Sequence, residues 1–193
     1  MSEPLPGPCL DITPRGMTGR TGRYEKTLSE LDGLFADVEA FAARRTREPD
    51  RVIYHVDEFR PSGAAGDLIT GISTLSPGRV GAEFHMTRGH IHAQVDRTEI
   101  YHCLSGHGLM LMETLDGQTV VTELRPGLVA YVPPAHIHRS VNVGDTDLVT
   151  LFCYPADAGQ DYGIIARSGG MRHRAVADGD SWRLVENSGY VAR

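Results

Sequence analysis

Two histidines and a glutamate lie close together in the middle of the chain, within Gly89–Tyr101. One residue separates His90 from His92, and Glu99 follows seven positions after His92. Side chains in a β-strand alternate between two faces, so both imidazoles would lie on the same face. If residues 94–98 bend the chain and Glu99 begins a paired strand, its carboxylate can reach that face. Such ligands suit Zn, Fe, Mn, Co or Ni at a site with open positions.

A second stretch, Val132–Asn142, adds another histidine downstream. The two stretches together resemble the two metal-binding motifs of cupins. The resemblance is carried by His90, His92, Glu99 and Gly106 in the first motif and by Pro133, Ala135, His138 and Asn142 in the second. It gives His90, His92, Glu99 and His138 as the metal ligands. Cupins often have Gly where this chain has Ala135, and the six-residue spacer before Glu99 is longer than the common three or four.

The longer spacer and its flanking residues indicate one branch of the cupins. The relevant stretches are Phe84, Thr87–Ala93, Asp96–Tyr101, Pro126–Gly127, Tyr131–Pro134, His138–Asn142 and Tyr154–Gly163. They are similar to the cupin-type glucose-6-phosphate isomerases known from archaea and some bacteria, over roughly residues 24–193. The resemblance implies a homodimer that interconverts glucose 6-phosphate and fructose 6-phosphate. It also implies one divalent metal ion per subunit, Fe²⁺ as the first choice and Mn²⁺, Zn²⁺, Ni²⁺ or Co²⁺ as alternatives.

The same resemblance assigns contacts to the phosphosugar. Phosphate and sugar contacts would come from Tyr54, Ser73, Thr87, Gly89, Tyr101, Tyr154 and Tyr162. Ser73 stands where the family has Thr, which preserves a hydroxyl. Gln160 stands where many members carry His, which removes a possible cation near the phosphate. No Gly-x-x-x-x-Gly-Lys loop is present, so a nucleotide cradle is not indicated.

Aldose–ketose isomerisation explains why these groups are needed. The reaction removes a proton from a carbon beside a carbonyl, and negative charge develops on the enediol oxygens. A divalent metal in contact with those oxygens stabilises that charge by several kcal/mol. Glu99 could be ligand, base or both in turn, with a metal-promoted hydride shift as the rival mechanism. Tyr101 shares a strand face with Glu99 and could hydrogen-bond the substrate or that carboxylate.

The remaining sequence predicts a mainly β protein, a cupin jelly-roll barrel (double-stranded β-helix). Short β-prone runs separated by turn residues are typical of a sandwich or barrel. The predicted strands are 52–58, 68–75, 81–86, 98–104, 107–113, 119–124, 129–132, 148–154 and 182–185. One short helix is predicted within Ala36–Arg47, ending before Pro49. Residues 1–23 form an extended N-terminal arm in this interpretation, and residues 24–193 form a single cupin domain.

Composition limits the possible partners. The 193 residues carry a net charge of −6, which argues against nucleic acid or an acidic membrane as the main partner. Three scattered cysteines imply no disulfide framework and favour the reducing cytoplasm. Neither a signal peptide nor a run of apolar residues long enough to span a membrane is found in the sequence.

Three alternatives remain open from sequence. His136 would share a strand face with His138 and is the rival fourth ligand. Three histidines and a glutamate could also hold Fe(II) and O₂, as in a cupin dioxygenase, although tyrosines and a threonine favour a polyhydroxylated anion. A non-catalytic sugar-phosphate-binding cupin, serving as a sensor, is the alternative from a different class.

Overall fold

The protein, represented by a computed structural model, is described over residues 9–193 and is built mainly from antiparallel strands. In chain order they are β1 (Ile12–Thr13), β2 (Gly16–Met17), β3 (Gly22–Thr27), β4 (Val52–Phe59), β5 (Leu68–Leu75), β6 (Arg79–Val80), β7 (Glu83–Phe84), β8 (Glu99–Ser105), β9 (Gly108–Thr114), β10 (Thr119–Leu124), β11 (Val129–Val132), β12 (His136–Asn142), β13 (Leu148–Pro155), β14 (His173–Asp178) and β15 (Ser181–Glu186). A 3-10 helix at Ser29–Leu31 and two α-helices, α1 (Val38–Arg47) and α2 (Gly163–Arg167), complete the described elements.

Two sheets position the functional residues. The larger has the strand order β11-β8-β13-β5-β4-β3, and the smaller has the order β10-β9-β12. A main cluster of buried apolar side chains includes Ile53 and Ile69 of the first sheet and Leu109 and Ile137 of the second. The predicted jelly-roll architecture is confirmed. No helix among the described residues is long and apolar enough to cross a membrane.

The edge of β12 that does not pair with β9 is also covered. A four-stranded sheet of order β15-β14-β7-β6 lies beside it, and Met86, just after β7, is bridged to Val141. Every residue of β12 after His136 is consequently buried, whichever way its side chain faces. This double cover matters for Arg139, which is only 5% exposed.

The predicted elements agree with the structure except in three respects. The expected strand 81–86 is divided into β6 and β7, because Gly81 turns the chain with a φ of +57°. Strands β3, β12 and β14 and the two-residue strands β1 and β2 were not among the predicted strands. Neither the 3-10 helix nor the short helix α2 was predicted, and the first N–H of α2 donates to the Asp161 carboxylate over 2.8 Å.

The described part of the predicted N-terminal arm is ordered against the body. Met17 is buried with Ile72 and Val149, and the predicted boundary between residues 23 and 24 lies inside β3. Residues 1–8 of the predicted arm lie outside the described residues.

Candidate active site

The four predicted metal ligands come together between the two main sheets. Glu99 is the first residue of β8, as predicted, and residues 94–98 form the expected bend. His138 is in β12, and a β-bridge pairs it with His90. All four side chains are buried, with His90 the most exposed at 8%. Their ligand atoms lie within 4.8 Å of one another.

The distances inside this cluster fit a single metal ion. Glu99 Oε2 lies 3.0 Å from His138 Nε2, 3.2 Å from His92 Nε2 and 4.0 Å from His90 Nε2. Ligands that bind one metal at about 2.0–2.2 Å are separated by roughly 3 to 4 Å. The geometry of the donor set therefore matches that of a mononuclear centre.

Backbone carbonyls orient two of the imidazoles. His92 Nδ1 lies 3.0 Å from the Arg97 carbonyl, and His138 Nδ1 lies 3.1 Å from the His136 carbonyl. A carbonyl only accepts, so each Nδ1 carries a proton and each Nε2 faces Glu99, either with a proton that the carboxylate accepts or with a lone pair that a metal would take. His90 Nε2 is buried and has no hydrogen-bond partner. A divalent cation would satisfy all three nitrogens at once, so the residues fit the metal.

The electrostatics keep the carboxylate ionised. Burial acts to raise the pKa of Glu99, but hydrogen bonds with His138 and His92 outweigh it and bring the pKa to about 2. Burial, reinforced by the charge of His138, lowers the pKa of His90 to about 3. Neutral imidazole and ionised carboxylate are the ligand forms that bind divalent metals.

A cavity of about 290 Å³ opens onto this cluster. Glu99, His90 and His138 line it, together with Tyr101, whose side chain lies on the same face of β8 as Glu99. Burial and the neighbouring Glu99 carboxylate raise the pKa of Tyr101 well above its ordinary value. Tyr101 therefore keeps its hydroxyl proton and can donate it in a hydrogen bond.

Besides Tyr101, the six other residues predicted to contact the sugar phosphate line the same cavity. They are Tyr54 on β4, Ser73 on β5, Tyr154 on β13, Tyr162 just before α2, and Thr87 and Gly89 between β7 and the ligand histidines. Six side chains or backbone groups far apart in sequence thus converge beside the four candidate ligands. The structure brings together every predicted site residue.

Gly89 has a conformation that explains its residue type. Its φ is +74°, in the left-handed region that favours glycine. A Cβ at this position would lie 2.8 Å from Ile165 Cδ1 and 3.0 Å from Arg139 Cβ. Glycine therefore lets the backbone pack closely against Ile165 and Arg139 at this point.

Gln160 and Arg88 both contact Tyr162. The Tyr162 hydroxyl donates a hydrogen bond to Gln160 Oε1. Arg88 is exposed and places its guanidinium 5.3 Å from the centre of the Tyr162 ring. The residue at position 160 thus orients a tyrosine of the cavity.

His136 lies outside the ligand cluster. Its ring Nδ1 bonds the Pro134 carbonyl over 2.8 Å, and the side chain is half-buried. The adjacent Ala135 has a φ of +59°, the single positive value among non-glycine residues 9–193. That conformation gives a physical reason for the glycine that cupins often have at this position.

Sequence reasoning missed several residues of the cavity. Tyr24, Glu58, Arg60 and Arg139 line it but received no role. Arg139 could have been noticed, because it follows His138 directly in the second motif. Tyr24 and Arg60 carry no local signal, since long-range pairing of β3 with β4 brings these parts of the chain to the site.

Comparisons with known proteins are consistent with this geometry. A family model described as glucose-6-phosphate isomerase matches residues 25–193. A glucose-6-phosphate isomerase of Sinorhizobium medicae (strain WSM419) is 50% identical over 190 residues, which cover 97% of this chain and 89% of that protein. A glucose-6-phosphate isomerase of Thermococcus litoralis is 40% identical over 176 residues, which cover 88% and 92%.

Similarity to solved structures is weaker. A recombinant oxalate oxidase in complex with glycolate is 20% identical to this chain and has a TM-score of 0.47. The match covers 56% of this chain and 54% of the oxidase. A TM-score of 0.47 does not support an inference about function.

Proposed function

The chain belongs to the cupin-type glucose-6-phosphate isomerase family and has its activity; from this premise we propose a metal-dependent mechanism for interconverting D-glucose 6-phosphate and D-fructose 6-phosphate. The observation that carries the proposal is the buried cluster of three histidines and a glutamate at the wall of the cavity. The ligands would be His90, His92, Glu99 and His138. When bound, a divalent ion would stabilise negative charge on the sugar's reacting oxygens.

In this mechanism Glu99 moves the proton between C1 and C2 of the sugar. Its pKa of about 2 keeps it in the ionised form that a base must have, and its position beside the candidate metal, not its basicity, supports this role. A positioned carboxylate in this role is worth about 10² to 10⁴ in rate. Tyr101 keeps its proton and donates a hydrogen bond to the carboxylate or to the substrate, which holds the reacting atoms in register.

The remaining polar groups of the cavity wall bind the phosphate in this proposal. We assign this role to Tyr54, Ser73, Thr87, Gly89, Tyr154 and Tyr162. One support is the bond from the Ser140 backbone N–H to Thr87 Oγ1, 3.0 Å long, which leaves the Thr87 hydroxyl proton free to donate to an anion. The buried rings of Phe152 and Tyr154, 5.8 Å apart, limit the access of water to the cavity.

The decisive experiment follows isomerisation in both directions with the purified protein, coupling each product to a separate dehydrogenase. Oxygen uptake with thiols and diols is measured in parallel. Turnover of both sugar phosphates without oxygen uptake is expected. Oxygen uptake without isomerisation would favour the dioxygenase, and tight fructose 6-phosphate binding without turnover would favour the sensor.

A solvent-isotope experiment separates proton transfer from the hydride shift. With Glu99 as the proton carrier, product formed in D₂O should contain deuterium on the carbon that receives the proton. Complete absence of deuterium over many turnovers would support the hydride shift instead.

The compartment, the oligomeric state, the identity of the metal and the division into domains are also proposals. We propose that the enzyme works as a cytoplasmic homodimer, binds Fe²⁺ in preference to the other divalent ions, and consists of an arm at 1–23 and one cupin domain at 24–193. The three cysteines are all free, which suits a reducing compartment. Mass measurement under native conditions tests the dimer, and metal analysis of protein purified without added metal tests the iron.

A further inference from the structure

Arg139 is a buried cation without a counter-charge. It follows His138 on β12, is 5% exposed and lines the active-site cavity. One terminal nitrogen donates to Met86 Sδ and the other to the Arg88 carbonyl, both over 2.9 Å. Its Nε is buried and has no partner. Burying a charge is costly unless an opposite charge compensates for it.

The carboxylates nearest to Arg139 are already occupied. Glu83 lies within electrostatic range but binds Arg174 over 2.9 Å and the Ala36 backbone N–H over 2.6 Å. Glu113, also within range, binds Arg193 and accepts from the Arg172 backbone N–H over 2.7 Å. The charge of Arg174 near Arg139 adds repulsion. An anion would therefore be stabilised in front of Arg139.

Arg139 lies directly behind the groups assigned to the phosphate. A Cβ added to Gly89 would lie 3.0 Å from Arg139 Nε, so the guanidinium packs against the Gly89 backbone. Arg139 and Tyr54 line the same cavity. Burial raises the pKa of Tyr54 to about 12, and the charges of Arg88 and Arg139 act in the opposite direction.

The other cation of the cavity wall is already neutralised. Arg60 is nearly half exposed and lies against Glu58, with two nitrogen–oxygen separations of 3.4 Å. The groups assigned to the phosphate are hydroxyls and backbone N–H groups, none of which carries a full charge. Among the residues that line the cavity, a phosphate dianion therefore meets one buried and uncompensated positive charge, that of Arg139, while Arg88 is an exposed cation against the Tyr162 ring outside this lining.

We propose that Arg139 supplies, from behind Gly89, the positive charge that binds the substrate's phosphate group. This inference rests on the proposed function. Arg139 acts by charge across a short, dry distance, where two unit charges interact strongly. It is a positioning residue that determines selectivity for phosphorylated sugars, and it is assigned no contact with the reacting carbons.

The test compares Arg139→Met, which removes the charge and keeps an apolar side chain of similar length, with Arg139→Lys, which keeps the charge. In the Arg139→Met variant we expect the KM for fructose 6-phosphate and the Kd for inorganic phosphate to be roughly 10- to 100-fold higher than in the wild-type protein. The kcat should change much less. Lys should restore most of the phosphate affinity. Arg60→Met is the matched control and should have the smaller effect on both constants.

Metal content is measured in each variant, because Arg139 adjoins His138. Unchanged KM and Kd in a metal-replete Arg139→Met protein would overturn the proposal. So would equal losses in the Lys and Met variants, since these would indicate a packing role. Failure of the wild-type protein to bind inorganic phosphate would also contradict it.

An NMR titration keeps the proposal testable if the Met variant does not fold. The Arg139 Nε–H signal, identified by its absence from the Arg139→Lys spectrum, should shift as inorganic phosphate binds to the wild-type protein. Binding without this shift would overturn the proposal. Phosphate binding through Arg139 in a protein that does not isomerise sugar phosphates would contradict the proposed function alone.

Discussion

Two sets of groups in the cavity are built differently: the metal ligands, called the metal end, and the residues assigned to the phosphate, called the phosphate end. At the metal end, three imidazole nitrogens lie 3.0 to 4.0 Å from Glu99 Oε2, and two of the imidazoles are fixed by backbone carbonyls. At the phosphate end, hydroxyl groups from separate elements surround a glycine backbone, and one buried arginine lies behind it. The metal end is preorganised for chemistry, whereas the phosphate end provides binding. Variants at the first should therefore change kcat, and variants at the second should change KM.

The largest effect is expected from His138→Ala. Loss of this ligand should reduce metal affinity by more than the roughly 10- to 100-fold that outer partners contribute, and turnover should fall with it. His136→Ala is the control, because it keeps the backbone carbonyl that orients His138. Metal content and kcat are measured for both variants after equal dialysis. Equal losses in the two variants would show that the ligand assignment is wrong.

Glu99→Gln tests the chemistry at the same end. The substitution preserves size but removes the base, so kcat should fall by about 10² to 10⁴. The assay is run at saturating metal, and bound metal is measured in the same samples. Activity near the wild-type level in the fully metallated variant would remove Glu99 from proton transfer.

Gly89→Ala tests the phosphate end. The new Cβ would clash with Ile165 Cδ1 and with Arg139, so KM for fructose 6-phosphate should rise about 10-fold. Gly127→Ala is the matched control, because Gly127 also has a positive φ, +90°, but a Cβ added there would meet no neighbouring group within 4 Å. Both variants bear similar backbone strain of about 1–2 kcal/mol. A similar KM in both would show that close approach at Gly89 is unimportant.

His85 extends the comparison to a buried imidazole that belongs neither to the metal ligands nor to the lining of the cavity. Burial, assisted by the charge of Arg44, lowers the pKa of His85 from 6.5 to about 4. Between these values the unfolded chain binds more protons than the folded protein, so stability falls as the pH decreases. From pH 7.5 to pH 5 this residue should account for a loss of about 2 kcal/mol in unfolding free energy.

Denaturant titrations of the wild-type protein and His85→Gln at both pH values measure this contribution. The pH-dependent loss should be smaller in the variant by that amount, whatever the variant's stability at pH 7.5. The same loss in both proteins would show that His85 does not titrate as its burial indicates.

The metal end was predictable from sequence because local spacing determines it. The alternation of a strand places His90 and His92 on one side, and a short bend returns Glu99 to it. The second motif supplies His138 through the β-bridge to His90. Most strands of the two main sheets were recognisable for the same reason, since alternation and turn residues are local signals.

The phosphate end was only partly predictable, because long-range packing forms it. The resemblance supplied the hydroxyl residues, but the isolation of Arg139 depends on ion pairs that Glu83 and Glu113 make with other arginines. No local pattern reveals which carboxylates are already occupied. The short helix α2 was missed similarly, because its first turn depends on a bond to Asp161.

The most direct test of the account is metal reconstitution. Protein stripped with a chelator is assayed with fructose 6-phosphate after separate addition of Fe(II), Mn(II), Zn(II), Ni(II) or Co(II). We expect little turnover in the stripped protein, and restoration by at least one ion in proportion to the metal bound at one site per chain. Full turnover in protein shown to be free of metal, or none with any ion despite stoichiometric binding, would contradict the proposed role of the metal centre.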